Sequence, residues 1–178
     1  TAFFHAMKRG DLVELDDDAC ADQFELTQRM LADAGLPAYE ISNHAAPGYE
    51  SRHNLTYWRY GDYVGIGPGA HGRRRGMATM RHKKPEAFLR RVAENGHGMA
   101  EERALGREEA LSEALLMGLR LAEGVDLAAL AARFGTTPDM LVDADRADFY
   151  ADLGFVELRG ERIVITPQGM PLLDALLA

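Results

Sequence analysis

The sequence predicts an α/β segment joined to an α+β module: the last helix–strand repeat of a larger sheet, then three helices closed by a two-stranded wing. Three observations carry this expectation. Helical periodicity over residues 16–34 gives way to the β-like run LPAYEIS. Three helical segments punctuated by Gly124, Gly135 and Gly154 follow from Arg107. The chain then alternates about an Arg-Gly turn in FVELRGERIVIT, the pattern of a β-hairpin.

Each element has a local reason. Asp16, Asp17 and Asp18 place acids where a helix N-terminus favours them, Phe24, Thr27 and Leu31 recur at helical spacing, and Gly35 supplies the stop. NHAAPGYESRHN reads as loop from its Pro, Gly and Asn content. YVGIG reads as a short strand, and residues 72–84 as an exposed hairpin or loop. Pro85 opens a helix to about Glu94. REEALSEALLMGLRLAEG has Leu111, Leu115, Gly118 and Leu119 on one helical face and ends at Gly124. DLAALAARFG is a shorter helix. Thr137 caps a third, with Pro138 in its first turn and Gly154 at its end. PQGMPLLDALLA closes the chain as a short helix. One helix and one strand do not make a domain, so the opening reads as the end of a structure whose earlier repeats lie elsewhere.

Composition narrows the function classes. Hydrophobic residues at 47% and charged residues at 27% of the 178 fit a soluble globular protein. No apolar run approaches the ~18–20 residues of a membrane span. The start at Thr1, without a signal-peptide pattern, predicts a piece of something longer. A single cysteine, Cys20, fits a reducing cytoplasm and excludes a multi-cysteine metal site built from this chain alone. The net charge of −8 argues against nucleic acid as a partner. The wing module would repel phosphate most, with 6 basic residues against 13 acidic ones from Ala104 onward. Its third helix carries Asp139, Asp143, Asp145, Asp148 and Asp152 against Arg146 alone.

Candidate chemistry gathers in SRHNLTYWRYGDYVGIGPGAHG. His53, Asn54, Tyr57 and Trp58 combine an imidazole, the commonest side-chain ligand of transition metals and haem iron, with flat rings suited to a planar ligand. A half-buried aromatic cluster, with the histidine satisfied by a carbonyl, accounts for the same residues. Zinc on His44, His53 and His71 has no usual spacing behind it. Gly67, Gly69 and Gly72 fit the dinucleotide glycine pattern, but RRRGMATMRHKKP lacks the helix that must follow it. A tight turn against something bulky remains. The basic run Arg73, Arg74, Arg75, Arg81, His82, Lys83 and Lys84 is either a solvated hairpin or an attractor of anions. Cys20, near a helix start, reads as a packed small residue rather than an acidic thiol.

The run AYEISNHAAPGYESRHNLTYWRYGDYVGIGPGAHG, Ala38 to Gly72, resembles the HemW family of radical SAM proteins, relatives of the oxygen-independent coproporphyrinogen III oxidases (HemN). The resemblance implies a partial (β/α) barrel followed by a C-terminal domain. Residues 1–72 would be the remnant of the barrel's last repeat, 73–105 a basic hairpin and connecting helix, and 106–178 the winged-helix-like C-terminal domain. It also implies a haem chaperone role in haem trafficking, with the H-N-x-x-Y-W element on His53, Asn54, Tyr57 and Trp58 and His53 as the iron ligand. Arg73, Arg74 and Arg75 would then suit the haem propionates. Glu40, Ser42 and Asn43 would sit at the end of the final barrel strand, with the loop of Gly65, Gly67, Gly69 and His71 beside them as a pocket. The family's Cys-x-x-x-Cys-x-x-Cys motif, which holds a 4Fe–4S cluster and S-adenosylmethionine, is absent from these residues. The cluster and S-adenosylmethionine therefore belong to an intact parent, and this chain is expected to be inactive alone. An oxidase of porphyrin biosynthesis is the alternative parent. A non-catalytic module docking on a haem-accepting protein is a further one.

Overall fold

The computed structural model describes residues 2–176. An unforeseen helix α1 (Ala2–Arg9) precedes α2 (Asp17–Asp33), whose N-cap Asp16 accepts a hydrogen bond from the Ala19 amide at 2.8 Å. Neither helix buries a residue, and Phe3 on α1 is 72% exposed.

LPAYEIS does not form a strand. Leu36 N–H closes α2 onto Leu31 O at 2.8 Å, and the segment then folds back, Tyr39 N–H donating to Asn43 O at 3.1 Å. Only isolated bridges form, Ala38 with His44 and Glu40 with Leu121. A strand needs neighbours on which to lay its ladder, and none of the described residues supplies a parallel one. YVGIG likewise makes a single bridge, Tyr63 to Arg73.

α3 (Arg52–Trp58) begins inside the stretch read as loop up to Asn54, capped by Ser51, whose Oγ accepts from the Asn54 amide at 3.3 Å. Tyr60 ends this turn with φ +53°, an unusual backbone for a tyrosine. Its hydroxyl donates to Glu113 Oε2 at 2.8 Å and its carbonyl accepts from Arg133 at 2.7 Å, which together hold it there.

The basic run is the expected hairpin, β1 (His71–Arg74) and β2 (Met77–Arg81), turned at Arg75 and Gly76. β1 begins two residues ahead of the expected boundary at 73. After α4 (Pro85–Asn95), β3 (Met99–Ala104) joins the other side of β2, giving an antiparallel sheet of order β1-β2-β3. Glu101, Glu102 and Arg103 lie exposed along β3, the sheet's outer strand.

The second half holds the core. α5 (Arg107–Gly118) stops six residues before Gly124, because Leu119 and Leu121 are both buried and no single helical face can hold residues two apart. A two-residue strand β4 (Val125–Asp126) leads into α6 (Leu127–Phe134). Thr137 and Pro138 start only a 3-10 turn (Pro138–Met140), since Leu141 and Val142 turn inward to pack on the core. α7 (Ala144–Asp152) restarts on Asp143, whose carboxylate caps the Arg146 amide at 3.0 Å. The hairpin β5 (Val156–Arg159) and β6 (Arg162–Ile165) forms as expected, and β4 adds to it in the order β4-β6-β5. A short helix α8 (Leu173–Leu176) follows. Ala114, Leu119, Val125, Leu130, Val156, Ile163, Ile165 and Leu173 form the core, with Ile41 and Tyr60 packed against it. Among the described residues no helix is long and apolar enough to cross a membrane.

Candidate functional site

His53 and Tyr57 lie four apart on α3 and so share one helical face. Their rings meet edge to face, with centroids 5.4 Å apart and planes at 71°. His53 is exposed, so its imidazole is reachable from solvent. Tyr57 continues the stack inward, at 4.8 Å from Trp58 and 6.2 Å from Tyr63. Burial, and then the charge of Glu40, raises the Tyr57 phenol above its ordinary range. Trp58 is half-buried, with the Arg120 guanidinium 5.8 Å from its ring centre, and its Nε1 finds no acceptor among the described residues. It braces the stack from behind.

Asn54 faces the protein. Its Nδ2 donates to the Tyr39 hydroxyl at 3.1 Å and its Oδ1 accepts from Ser51 Oγ at 3.2 Å. The asparagine therefore fixes the pitch of α3 against the 38–44 turn.

The basic hairpin reaches this stack through Tyr63. Tyr63 N–H donates to Arg73 O at 2.7 Å and Arg73 N–H returns a bond to Tyr63 O at 3.0 Å. Arg73 itself is committed inward. Its Nη2 and Nε clamp Glu113 at 2.7 and 3.0 Å, and its Nη1 donates to Gly72 O. Bidentate pairs of this kind are the strong ones. They hold the Glu113 carboxyl below its usual range and push the Arg73 guanidinium higher still, while burial and then Glu113 raise the Tyr60 phenol. With its donors so engaged, Arg73 braces the hairpin against α5. Arg74 and Arg75 stay exposed, and no ion pair forms on either among the described residues.

In the glycine loop, close packing requires the glycine at position 65. A Cβ on Gly65 would lie 2.3 Å from His71 O, and Arg81 Nε donates to Gly65 O at 3.1 Å. Gly67 and Gly69 have φ of +93° and +72°, and His71 is exposed. Glu40 is 1% exposed, with Ser42 Oγ donating to its Oε1 at 3.4 Å, while Ser42 and Asn43 lie on the surface. The structure thus brings His53, Asn54, Tyr57 and Trp58 together, and Glu40 with Ser42. Sequence reasoning missed Tyr39, Tyr63, Glu113 and Arg120, whose partners lie 6 to 62 positions away with no shared helix or strand period to reveal them.

Cys20 is exposed and is the sole cysteine of the chain. One thiolate does not hold a 4Fe–4S cluster, so these residues do not fit that group. No group of three His, Cys, Asp or Glu among the described residues suits a metal ion, zinc on His44, His53 and His71 included.

Residues 105–172 match the family described as HemN C-terminal domain. The chain is 34% identical over 177 residues to a heme chaperone HemW of Mycobacterium tuberculosis, covering 99% of this chain and 43% of that protein. It is 47% identical over 79 residues to the heme chaperone HemW of Escherichia coli, covering 42% of this chain and 21% of that one. To the mitochondrial radical S-adenosyl methionine domain-containing protein 1 of Mus musculus it is 40% identical over 133 residues, 70% of this chain and 30% of the relative. The solved structure of E. coli coproporphyrinogen III oxidase (HemN), a radical SAM enzyme, superposes with a TM-score of 0.71 at 16% identity, covering 92% of this chain and 41% of that one; it bears on the fold alone. The chain spans less than half the length of these relatives. Family match and relatives agree: the chain belongs, over part of their length, to the HemW-type, HemN-related radical SAM family.

Proposed function

We propose that this chain binds haem on the exposed face of α3 as cargo for transfer, with the His53 imidazole as iron ligand. The observation that carries the reading is the His53–Tyr57 pair: a solvent-facing imidazole whose orientation is set by an aromatic ring one turn along. Tyr57 offers a flat neighbour to the macrocycle, and Trp58 stiffens Tyr57. Arg74 and Arg75 extend from the hairpin tied to Tyr63 and supply cations for the two propionates. Residues 1–72 are taken as the remnant of a (β/α) barrel and 106–178 as a winged-helix-like domain. In an intact relative, the cluster and S-adenosylmethionine would reside in the part outside this chain.

Titrating haem into the chain and into His53→Ala tests this. The expected result is a Soret band shifted by nitrogen ligation in the parent, lost in the variant, with affinity down about tenfold or more, about 1.4 kcal/mol per decade. Identical spectra for the two proteins would remove His53 from the site. Tyr39→Phe is a milder check. It takes from Asn54 one hydrogen bond, worth about 1 kcal/mol, and is expected to weaken haem binding a few-fold without moving the Soret maximum.

A further inference from the structure

A cleft of about 660 Å³ opens between α2 and the corner that follows β6, at the junction of the two halves of the chain. It does not include any residue of the His53 stack. Phe24, Ile41, Ile165 and Met170 make its walls largely apolar, and Glu40 lines it. Its size and lining fall in the range of small-molecule sites, roughly 300–1,000 Å³ and apolar with a few fixed polar groups.

The other polar groups around it are either partnered or, as with Glu25, Arg29 and Gln168, exposed to water. Arg159 pairs with Glu157 at 2.6 Å, Gln28 Oε1 is bonded to His44 at 3.0 Å, and Thr166 Oγ1 donates to Gly154 O at 2.7 Å. Glu40 differs. Its Oε1 has the long bond from Ser42, but its Oε2 is buried with no hydrogen-bond partner among the described residues. A carboxylate oxygen taken from water without a donor is costly, and a bound N–H would recover that cost. In an apolar cleft a cationic donor does so best.

We propose that this cleft binds an apolar primary amine, its ammonium donating to Glu40 and its hydrocarbon body lying against Phe24, Ile41, Ile165 and Met170. The cleft is a different place from the His53 stack, and the proposal does not rest on haem binding.

Isothermal titration of the whole chain with 4-phenylbutylamine and with 4-phenylbutyrate, the same body bearing opposite charge, tests it. The amine is expected to bind at one per chain and the carboxylate to give no heat. Glu40→Gln keeps shape and the Ser42 bond but removes the charge, and is expected to weaken the amine at least tenfold. Ala32→Trp, at an exposed α2 position lining the cleft, fills it without touching Glu40 and is expected to abolish binding. No heat from the amine, equal binding of the carboxylate, or undiminished binding to either variant would overturn the proposal. Haem titration of Ala32→Trp, expected unchanged because no residue of the His53 stack lines the cleft, keeps its failure distinguishable from that of the His53 site.

Discussion

Gly124→Ala is expected to destabilise the chain by about 3–4 kcal/mol, combining left-handed backbone strain with overpacking. Gly124 has φ +65°, and a Cβ there would stand 2.2 Å from Ile163 O and 2.9 Å from Val164 Cα. Both neighbours belong to β6, the central strand of its sheet, so neither can give way without opening the β4 and β5 ladders. The Gly124 carbonyl also accepts from Arg162, at 3.2 Å. For a chain of this size the loss corresponds to a fall in Tm of roughly 10 °C, read by thermal denaturation. Gly10→Ala, where φ is +78° but nothing lies within 4 Å of the new Cβ, isolates the backbone contribution and is expected to cost about 1 kcal/mol.

Glu113→Ala is expected to cost about 2–3 kcal/mol, because it leaves the Arg73 guanidinium and the Tyr60 hydroxyl without their acceptor in a half-buried position. The pair is about one-fifth to one-quarter exposed, which keeps the loss below that of a fully buried pair. The same link predicts a pH dependence. The Glu113 carboxyl titrates lower in the folded chain than unfolded, so the folded state holds its negative charge more tightly. Its contribution is fully present above the unfolded value of about 4.3 and is lost as pH falls through the folded value. Urea melts at descending pH should therefore show the parent losing stability below about pH 4.5 more steeply than Glu113→Ala. Parallel slopes would show that this ion pair does not drive the acid limb. Since Tyr60 ends α3 and Arg73 ties to Tyr63, loosening Glu113 should also blunt haem binding with His53 intact.

The second half of the chain was largely legible because its signals are local. Gly135 stops α6 with φ +62°, Pro85 opens α4, and the Arg159–Gly160 turn carries the alternation of β5 and β6. The first half misled where sequence period speaks for a partner it cannot supply. LPAYEIS has the composition of a strand, yet with no neighbouring strand among the described residues its amides turn back on themselves. The first turn of α3 was read as loop because its seven residues are too few to display a helical period, and a serine cap decides it instead. At the candidate site the motif residues could be named, but their division of labour could not. Whether Asn54 faces a ligand or Tyr39, and whether Arg73 greets an anion or Glu113, depends on positions brought together only by folding.

The row of Glu101, Glu102 and Arg103 has a consequence for behaviour at high concentration. A second molecule adding to that margin in register would stack like charges at the spacing between neighbouring strands, near 4.8 Å. β3 is thereby a poor seed for in-register ribbon growth, and the exposed Phe3 and Met30 of α1 and α2 are the stickier surface.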